Sequence, residues 1–252
     1  MQTASKGYIN TEIIKQGLAE ITFYHPKHNS LPSNLLAELE AAIIAAGKNK
    51  DIKLIILKSG GERTFCAGAS FDELISINDL ATGKKFFMGF ANVINACRKC
   101  PKLIIGRVQG KAVGGGVGLA AAVDYCMATK YASIKLSELN VGIGPFVVGP
   151  AVERKIGISA MSQLTIHANQ FQSPNWAKEK GLYTEVFESV EELDEAVLKL
   201  ADYLLSTNPE AQQLLKKVFW ENCSHWDILL EQRAEISGKL VLSDYTKKTL
   251  AK

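Results

Sequence analysis

Residues 106–119 read GRVQGKAVGGGVGL, and this stretch decides the fold. The apolar run Leu103–Val108 predicts a buried strand, and residues 117–123 predict a short helix of small apolar residues. Three consecutive glycines, 114–116, stand between them. Glycine is costly at a helix start, so three in succession indicate backbone N–H groups that approach a ligand closely. Because a helix N-terminus offers unpaired donors and partial positive charge, the stretch predicts a site for an anion, or for an oxygen that becomes one.

Composition narrows the class of protein. With 252 residues, 47% of them hydrophobic, the chain can bury a sizeable core. The net charge is only +3 and the basic residues are interspersed with acidic ones, which is evidence against nucleic-acid binding. No apolar run reaches the ~18 residues of a membrane span. Residues 1–10 lack an apolar leader and the five cysteines are scattered, so we expect reduced thiols and a cytoplasmic location. The four histidines lack metal-ligand spacing, so no metal is expected.

Strand and helix patterns alternate along residues 1–190, which predicts an α/β core. Residues 191–252 read as helices only, with apolar faces that would serve assembly, so we predict a separate helical region there. The predicted strands are 8–14, 18–24, 52–57, 103–108, 125–128, 133–136 and 185–188. The predicted helices are 33–46, 84–100, 115–123, 147–156, 160–167 and 174–180, with further helices from 191 onward.

A second loop, residues 64–74, reads TFCAGASFDEL and follows a predicted strand. Its small residues at 67–69 allow a tight turn, after which Ser70 or Asp72 could cap a helix. If this loop and the glycine triplet leave the same sheet edge, their N–H groups converge and form an oxyanion hole. The simpler alternative is an ordinary strand-to-helix connection.

Glu138 is an acid in the otherwise apolar segment 135–145, KLSELNVGIGP. It is either a partner in a helix cap or a buried acid whose pKa is raised, since burial disfavours the charged form. From this segment alone the cap interpretation is favoured. A raised pKa would suit general acid/base work near neutral pH.

Two further motifs carry weaker predictions. Residues 116–121 fit Gly-x-Gly-x-x-Ala, but no acidic residue ends a following strand at the expected distance, so a nicotinamide-dependent enzyme is a minor alternative. Cys97 and Cys100 have redox spacing but lie at a helix end, where a thiolate gains no field from a helix N-terminus. Asp124 is interpreted as structural, bonding nearby backbone.

Three motifs occur in order: FCAGA at 65–69, GKAVGGGVGL at 110–119 followed by Asp124, and SELNVG at 137–142 followed by Pro145. Together they resemble the crotonase family, also called the enoyl-CoA hydratase/isomerase family, over most of the chain. The resemblance implies repeated ββα units in a spiral core, with a helical C-terminal region that forms a homotrimer or a dimer of trimers. It also implies an acyl-CoA thioester substrate that carries its own coenzyme A, with no other cofactor and no metal.

The same resemblance implies roles for individual residues. Ala69 and Gly115 would donate backbone N–H bonds to the thioester oxygen, and Glu138 would be the acid/base. The segment HPKHNSL at 25–31 is similar to the family's loop near the CoA adenine and phosphates. Val147 and Val148 are candidates for lining the acyl pocket. The substrate-binding residues implied are Lys27, Ala67, Gly68, Gly114, Pro145 and Phe146.

One position departs from the family pattern. Family hydratases usually carry a second glutamate two residues after the glycine triplet, where this chain has Gly118. Hydration needs an acid and a base, whereas one glutamate can move a proton between C2 and C4 of a 3-enoyl thioester. We therefore predict an enoyl-CoA hydratase or isomerase and leave the two open, with Asp72 or Glu73 as a candidate second acid. Phe146 rather than Asp follows Pro145, which weakens a dienoyl-CoA isomerase.

The absence of a glutamate at position 118 also leaves a non-catalytic alternative. A protein that keeps the CoA site but has lost its chemistry would bind acyl-CoA thioesters without turning them over. Such a binding protein is the runner-up to the enzyme.

Overall fold

The structure is a computed structural model and describes residues 7–251. Part of the N-terminal stretch on which the expected location rests, residues 1–6, lies outside the described residues. The strands are β1 (Tyr8–Lys15), β2 (Gly17–Tyr24), β3 (Ile52–Ser59), β4 (Thr64–Cys66), β5 (Leu103–Val108), β6 (Lys111–Val113), β7 (Tyr125–Thr129), β8 (Ile134–Lys135) and β9 (Glu185–Phe187). The helices are α1 (Ser33–Lys48), α2 (Phe71–Ser76), α3 (Leu80–Lys99), α4 (Gly115–Ala122), α5 (Gly149–Ile166), α6 (Pro174–Glu179), α7 (Val190–Leu205), α8 (Pro209–Phe219), α9 (Trp226–Val241) and α10 (Asp244–Leu250), with 3₁₀ turns at Glu138–Val141 and Glu221–Cys223.

Two sheets organise the fold. The larger has the strand order β1-β2-β3-β5-β7-β9, parallel except for the β1–β2 hairpin, and the smaller is the parallel sheet β4-β6-β8. Consecutive strands alternate between the two sheets in three pairs, β3–β4, β5–β6 and β7–β8. The first strand of each pair lies in the larger sheet and the second in the smaller, and helix follows each pair. This repeat confirms the predicted α/β fold with ββα units. The apolar runs of β3 and β5 suit central parallel strands that are covered on both faces.

Two helix bounds differ from the sequence prediction for identifiable reasons. α3 begins at Leu80 rather than at residue 84, because the Asp79 side chain accepts a hydrogen bond from the Thr82 amide at 2.9 Å and caps the helix earlier. The two helices predicted at 147–156 and 160–167 are both present within α5, where a kink at Gly157, rather than residues 157–159, separates them. There φ is +73°, a left-handed conformation that glycine adopts easily.

The main core lies between the large sheet and helices α1, α3, α4 and α5, and it also receives Leu230 and Ala234 from α9. α7 covers the other face of the sheet with Leu193, Val197 and Ala201. The helix that follows the predicted boundary at residue 190 therefore packs on the sheet. The boundary itself stays a prediction, as does the trimer. Within residues 7–251, none of the helices combines the length and apolar character needed to cross a bilayer.

Candidate active site

The two loops singled out in the sequence meet in the structure. β4 and β6 are parallel neighbours, so the loops that follow them leave the small sheet at the same edge. A Cβ atom added to Gly68 would lie 3.1 Å from the Val113 carbonyl oxygen and 3.4 Å from the Gly115 nitrogen. The backbone of one loop therefore lies directly against the backbone of the other.

The glycines at the start of α4 are required by close neighbours. A Cβ on Gly115 would lie 2.3 Å from the Phe90 ring, and a Cβ on Gly116 would lie 2.3 Å from the Cys66 carbonyl oxygen. Real Cβ atoms do not approach other atoms so closely, so a side chain at either position would push α4 away from α3 or β4. Glycine here keeps the first N–H groups of α4 at the meeting point of the loops.

Two amides at this point have no acceptor. The N–H groups of Ala69 and Gly115 donate to no acceptor within the described residues 7–251. The first loop is held on both sides of Ala69, because the Leu31 amide donates to the Gly68 oxygen at 2.8 Å and the Ser70 amide donates to the Leu31 oxygen at 3.1 Å. Two fixed, unpaired donors in adjacent loops can bind one oxygen and stabilise negative charge on it.

Glu138 faces the same loops from the 3₁₀ turn Glu138–Val141. A Cβ on Gly114, whose φ is +53°, would lie 3.0 Å from Glu138 Oε1. Glu138 Oε2 is buried and has no hydrogen-bond partner in the part of the chain that the structure describes. Burial raises the pKa of this carboxyl to about 7. The favoured cap interpretation is therefore wrong, and Glu138 is the buried acid of the alternative.

The loops and Glu138 open into one cavity of about 380 Å³. Its walls are mainly apolar side chains from α2, α3 and the segment that follows Glu138. All the site residues predicted from the sequence line this cavity: Lys27, Ala67, Gly68, Ala69, Gly114, Gly115, Glu138, Pro145 and Phe146.

The sequence analysis missed several wall residues of this cavity. Phe86 and Phe90 lie one turn apart on α3, and their helical spacing was the only signal that they share a face. Ser237 comes from α9, and nothing near it in the sequence connects it to the site.

The 25–31 loop is held against the same region. The Asn29 side chain accepts a hydrogen bond from the His25 amide and donates to the carbonyl oxygens of Gly60 and Thr64, each at 2.8 Å. At the cavity mouth Lys27 forms an exposed ion pair with Asp72. This arrangement places a lysine at the entrance, where it can meet an anionic part of a ligand.

The candidate second acids lie in different places. Asp72 lines the cavity at its mouth, paired with Lys27. Glu73 turns away, and its carboxylate accepts hydrogen bonds from the Ser33 amide at 3.0 Å and the Ser33 hydroxyl at 2.6 Å, which ties α2 to the start of α1. The prediction of Glu73 as a second acid of this site is therefore wrong.

Gly118 is covered by another side chain. A Cβ added to it would lie 2.5 Å from Cγ1 and 2.8 Å from Cβ of Val148. Val148 is buried and lines the cavity, whereas Gly118 does not. A glutamate at 118 would therefore clash with Val148 unless that valine were also changed.

The same contacts remove the nicotinamide alternative. The glycines of the Gly-x-Gly-x-x-Ala match, Gly116 and Gly118, lie against Cys66 and Val148 rather than in the cavity. They therefore have no room for a pyrophosphate against their backbone.

Among residues 7–251 there is also no group of three or more His, Cys, Asp and Glu side chains placed to hold a metal ion.

Comparisons with known proteins agree with the fold and the motifs. Residues 13–249 match the family model described as enoyl-CoA hydratase/isomerase. The chain is 28% identical over 226 residues to the peroxisomal Delta(3,5)-Delta(2,4)-dienoyl-CoA isomerase of Arabidopsis thaliana, which covers 82% of this chain and 80% of that protein. It is 33% identical over 192 residues to the mitochondrial methylglutaconyl-CoA hydratase of Mus musculus, covering 75% of this chain but only 60% of that protein.

A solved structure supports the fold independently. The crystal structure of enoyl-CoA hydratase from Bacillus halodurans superimposes with a TM-score of 0.89, covering 97% of this chain and 99% of the other, at 24% sequence identity. At that identity the likeness concerns the fold alone. Together with the family match over residues 13–249, it leads to one assignment: this chain belongs to the enoyl-CoA hydratase/isomerase, or crotonase, family.

Proposed function

We propose that this protein shifts the double bond of a 3-enoyl-CoA thioester to the 2-enoyl position, with Glu138 as the only acid/base. The observation that carries the proposal is the Glu138 carboxyl, the one buried acid among the described residues that line the cavity. Burial raises the pKa of this carboxyl to about 7. A group with such a pKa can both remove and return a proton near neutral pH.

The reaction needs one proton to move across one face of the substrate. The thioester oxygen accepts hydrogen bonds from the amides of Ala69 and Gly115, and the Glu138 carboxylate removes a proton from C2. The C–H electron pair forms the C1–C2 double bond of a dienolate, and the carbonyl π pair moves to the oxygen. When the carbonyl re-forms, the C1–C2 π pair becomes the C2–C3 double bond, and the C3–C4 π pair takes the proton from Glu138 at C4. Atoms and electrons balance without any co-reactant.

The two amides and the carboxyl supply separate parts of the rate. In known enzymes one preorganised donor to a developing oxyanion contributes about 3–4 kcal/mol of transition-state stabilisation. A positioned proton-transfer group contributes roughly 10²–10⁴ in rate. The amides act on the charge at the oxygen, and Glu138 acts on the two carbons.

Isomerisation is favoured over hydration because, among residues 7–251, no second acid that lines the cavity lies next to Glu138 in its interior. Val148 occupies the space next to Gly118 with a methyl group, and Glu73 is bound to Ser33. Asp72 is at the mouth in an ion pair with Lys27. Lys27 is proposed to meet the phosphates of CoA, and Pro145 and Phe146 to contact the acyl chain. The trimeric or hexameric assembly and the cytoplasmic location stay predictions.

The ultraviolet absorbance of the conjugated enoyl thioester tests this proposal. We expect a gain of absorbance from a 3-enoyl-CoA, because its product is conjugated, and little change from the matched 2-enoyl-CoA. Glu138→Gln should lower the rate at least about 100-fold. Glu153→Gln, a change at an exposed acid on α5, is the matched control and should keep the wild-type rate.

Other outcomes overturn the proposal and point to its alternatives. Loss of absorbance from the 2-enoyl substrate would mean hydration, as the name of the mouse relative describes for that protein. Tight binding of both thioesters without turnover would mean an acyl-CoA-binding protein.

A further inference from the structure

Ser237 brings a polar group into the inner wall of the acyl cavity. It is 1% exposed, lies on α9 and lines the cavity that also contains Glu138. Val241, one turn further along α9, packs in a cluster with Phe86 and Ile143, and both of these line the cavity. Ser237 therefore belongs to an apolar part of the wall, away from the ion pair at the mouth.

None of the side-chain hydrogen bonds among residues 7–251 involves the Ser237 hydroxyl, and this residue keeps 1% of its surface accessible. Serine in a helix commonly donates to the carbonyl oxygen one turn earlier, yet that bond does not form here. A buried hydroxyl without a partner is unfavourable, so such groups usually meet protein, water or ligand. Ser237 lines the cavity, which offers such a partner when a ligand is bound there.

The position of Ser237 is fixed by the backbone beside it. A Cβ added to the next residue, Gly238, would lie 2.7 Å from the Lys84 nitrogen and 3.0 Å from the Gly83 carbonyl carbon. α9 and α3 are thus in direct backbone contact at this point. The hydroxyl is held at a set depth in the cavity rather than carried on a mobile segment.

The charges around the cavity decide which polar group would suit Ser237. The charged and titratable side chains that line it are Lys27, His28, Asp72 and Glu138, and all come from other elements than α9. Lys84, on the neighbouring α3, is paired with Glu231 at 2.7 Å and does not line the cavity. The lysine that lines the cavity, Lys27, is already paired with Asp72, and burying an unpaired carboxylate on the acyl chain would be far more costly than burying a hydroxyl.

We propose that Ser237 is a specificity-determining residue that selects acyl chains carrying an uncharged oxygen function, a hydroxyl or a keto group, at one position remote from the thioester. The proposal rests on the proposed acyl-CoA function of this cavity. It narrows the substrate class from any enoyl-CoA to one with an oxygenated chain. A site that hydrogen-bonds a substrate oxygen discriminates against the analogue that lacks it.

Binding of saturated acyl-CoA thioesters, measured by calorimetry, tests the proposal without any turnover. The hydroxyl is moved one carbon at a time along the chain, and each compound is compared with its unsubstituted parent. At one position the hydroxylated chain should bind at least as tightly as the parent. At the other positions it should bind roughly tenfold more weakly, because its hydroxyl is buried without a partner.

Ser237→Ala should remove this single favoured position, lowering the affinity ratio of hydroxylated chain to parent there by about tenfold. Ser162→Ala, at an exposed serine on α5, is the control and should leave the ratio unchanged. An equal loss of affinity for both chains in Ser237→Ala would show a packing role and overturn the proposal, as would the absence of any favoured position. If no acyl-CoA bound the wild-type protein, the proposed function would fail together with this inference.

Discussion

The burial of Glu138, the proposed acid/base, lowers the free energy of unfolding at neutral and higher pH. Burial raises the pKa of its carboxyl from 4.5 to about 7. The folded protein therefore holds this proton more tightly than the unfolded chain, and the free energy of unfolding falls as pH rises from about 4.5 to about 7. Above that range the charged carboxylate costs about 3 kcal/mol relative to the neutral form.

Glu138→Gln should consequently make the protein more stable while it removes activity. Glutamine has nearly the same shape and no charge, so we expect a gain of up to about 3 kcal/mol in the free energy of unfolding at pH 8. The gain should shrink towards zero as pH falls below 4.5, the pKa in the unfolded chain, because wild-type Glu138 then becomes neutral in both states. Denaturant titrations at several pH values measure this, and a variant less stable than wild type at pH 8 would contradict the assigned burial.

Burial makes the cysteine thiols unreactive near neutral pH, in contrast to the Glu138 carboxyl. All five are free and buried. Burial raises the pKa of Cys66, Cys97 and Cys126 to about 12, so their thiols stay protonated near neutral pH. Because the thiolate is the reactive form, these residues act as small apolar side chains. The redox spacing of Cys97 and Cys100 therefore carries no chemistry of its own.

At the scale of elements, the start of α4 is packed too closely to accept a larger side chain. Gly114 and Gly115 at its start line the cavity, and Phe90 of α3 lies against Gly115. The helix is buried along its whole length, with Val117, Leu119 and three alanines in the core. A small movement of α3 or α4 is therefore passed directly to the proposed oxyanion donors.

Gly115→Ala tests this coupling. The added Cβ would meet the Phe90 ring at 2.3 Å, so we expect a loss of about 1–3 kcal/mol in stability and a fall of about 10²–10³ in rate. Adding Phe90→Leu should recover part of the stability by making room. Gly149→Ala, at the start of α5, is the matched control, since its Cβ would meet only Met161 at an ordinary 3.4 Å. Equal losses in Gly115→Ala and Gly149→Ala would contradict the explanation.

Across the whole molecule, a buried ion pair joins the C-terminal helices to the sheet. Lys216 of α8 lies 2.8 Å from Asp124, and both side chains are almost fully buried. The Asp124 carboxylate also accepts hydrogen bonds from the Ile104 amide at 2.8 Å and the Trp220 indole at 2.9 Å. Asp124 is structural, as the sequence suggests, but its partners extend well beyond nearby backbone.

Lys216→Met should be strongly destabilising, because it leaves the Asp124 charge buried without its cation. Breaking such a pair from one side typically costs about 3–5 kcal/mol. Lys239→Ala, which removes an exposed pair with Glu235 one turn away on α9, should cost only about 0.3–0.5 kcal/mol. Thermal or denaturant unfolding measures both, and similar small losses in the two variants would show that the buried pair does not hold the C-terminal helices in place.

Much of the fold and the site follows from the sequence by itself. The apolar strands, the hairpin and the glycine triplet are local patterns, and a strand or loop forms largely from the residues within it. The sequence predicted that the loops at 64–74 and 106–119 would bring their amides together if both left the same sheet edge. The strands that place them there, β4 and β6, were not predicted. Local patterns do not show which distant residues pack around a side chain, so the sequence left two interpretations of Glu138 open, a partner in a helix cap and a buried acid.

Only the tertiary structure decided how the site is filled. Three features of the site depend on residues that are far apart in the sequence. They are the burial that sets the pKa of Glu138, the methyl group of Val148 next to Gly118 and the position of Ser237 in the cavity wall. The pKa of an acid and the space available to a side chain are set by whatever packs around them. The sequence by itself determined the family and the two loops that carry the site, whereas packing decided that Glu138 is buried and that Gly118 has no room for a second acid.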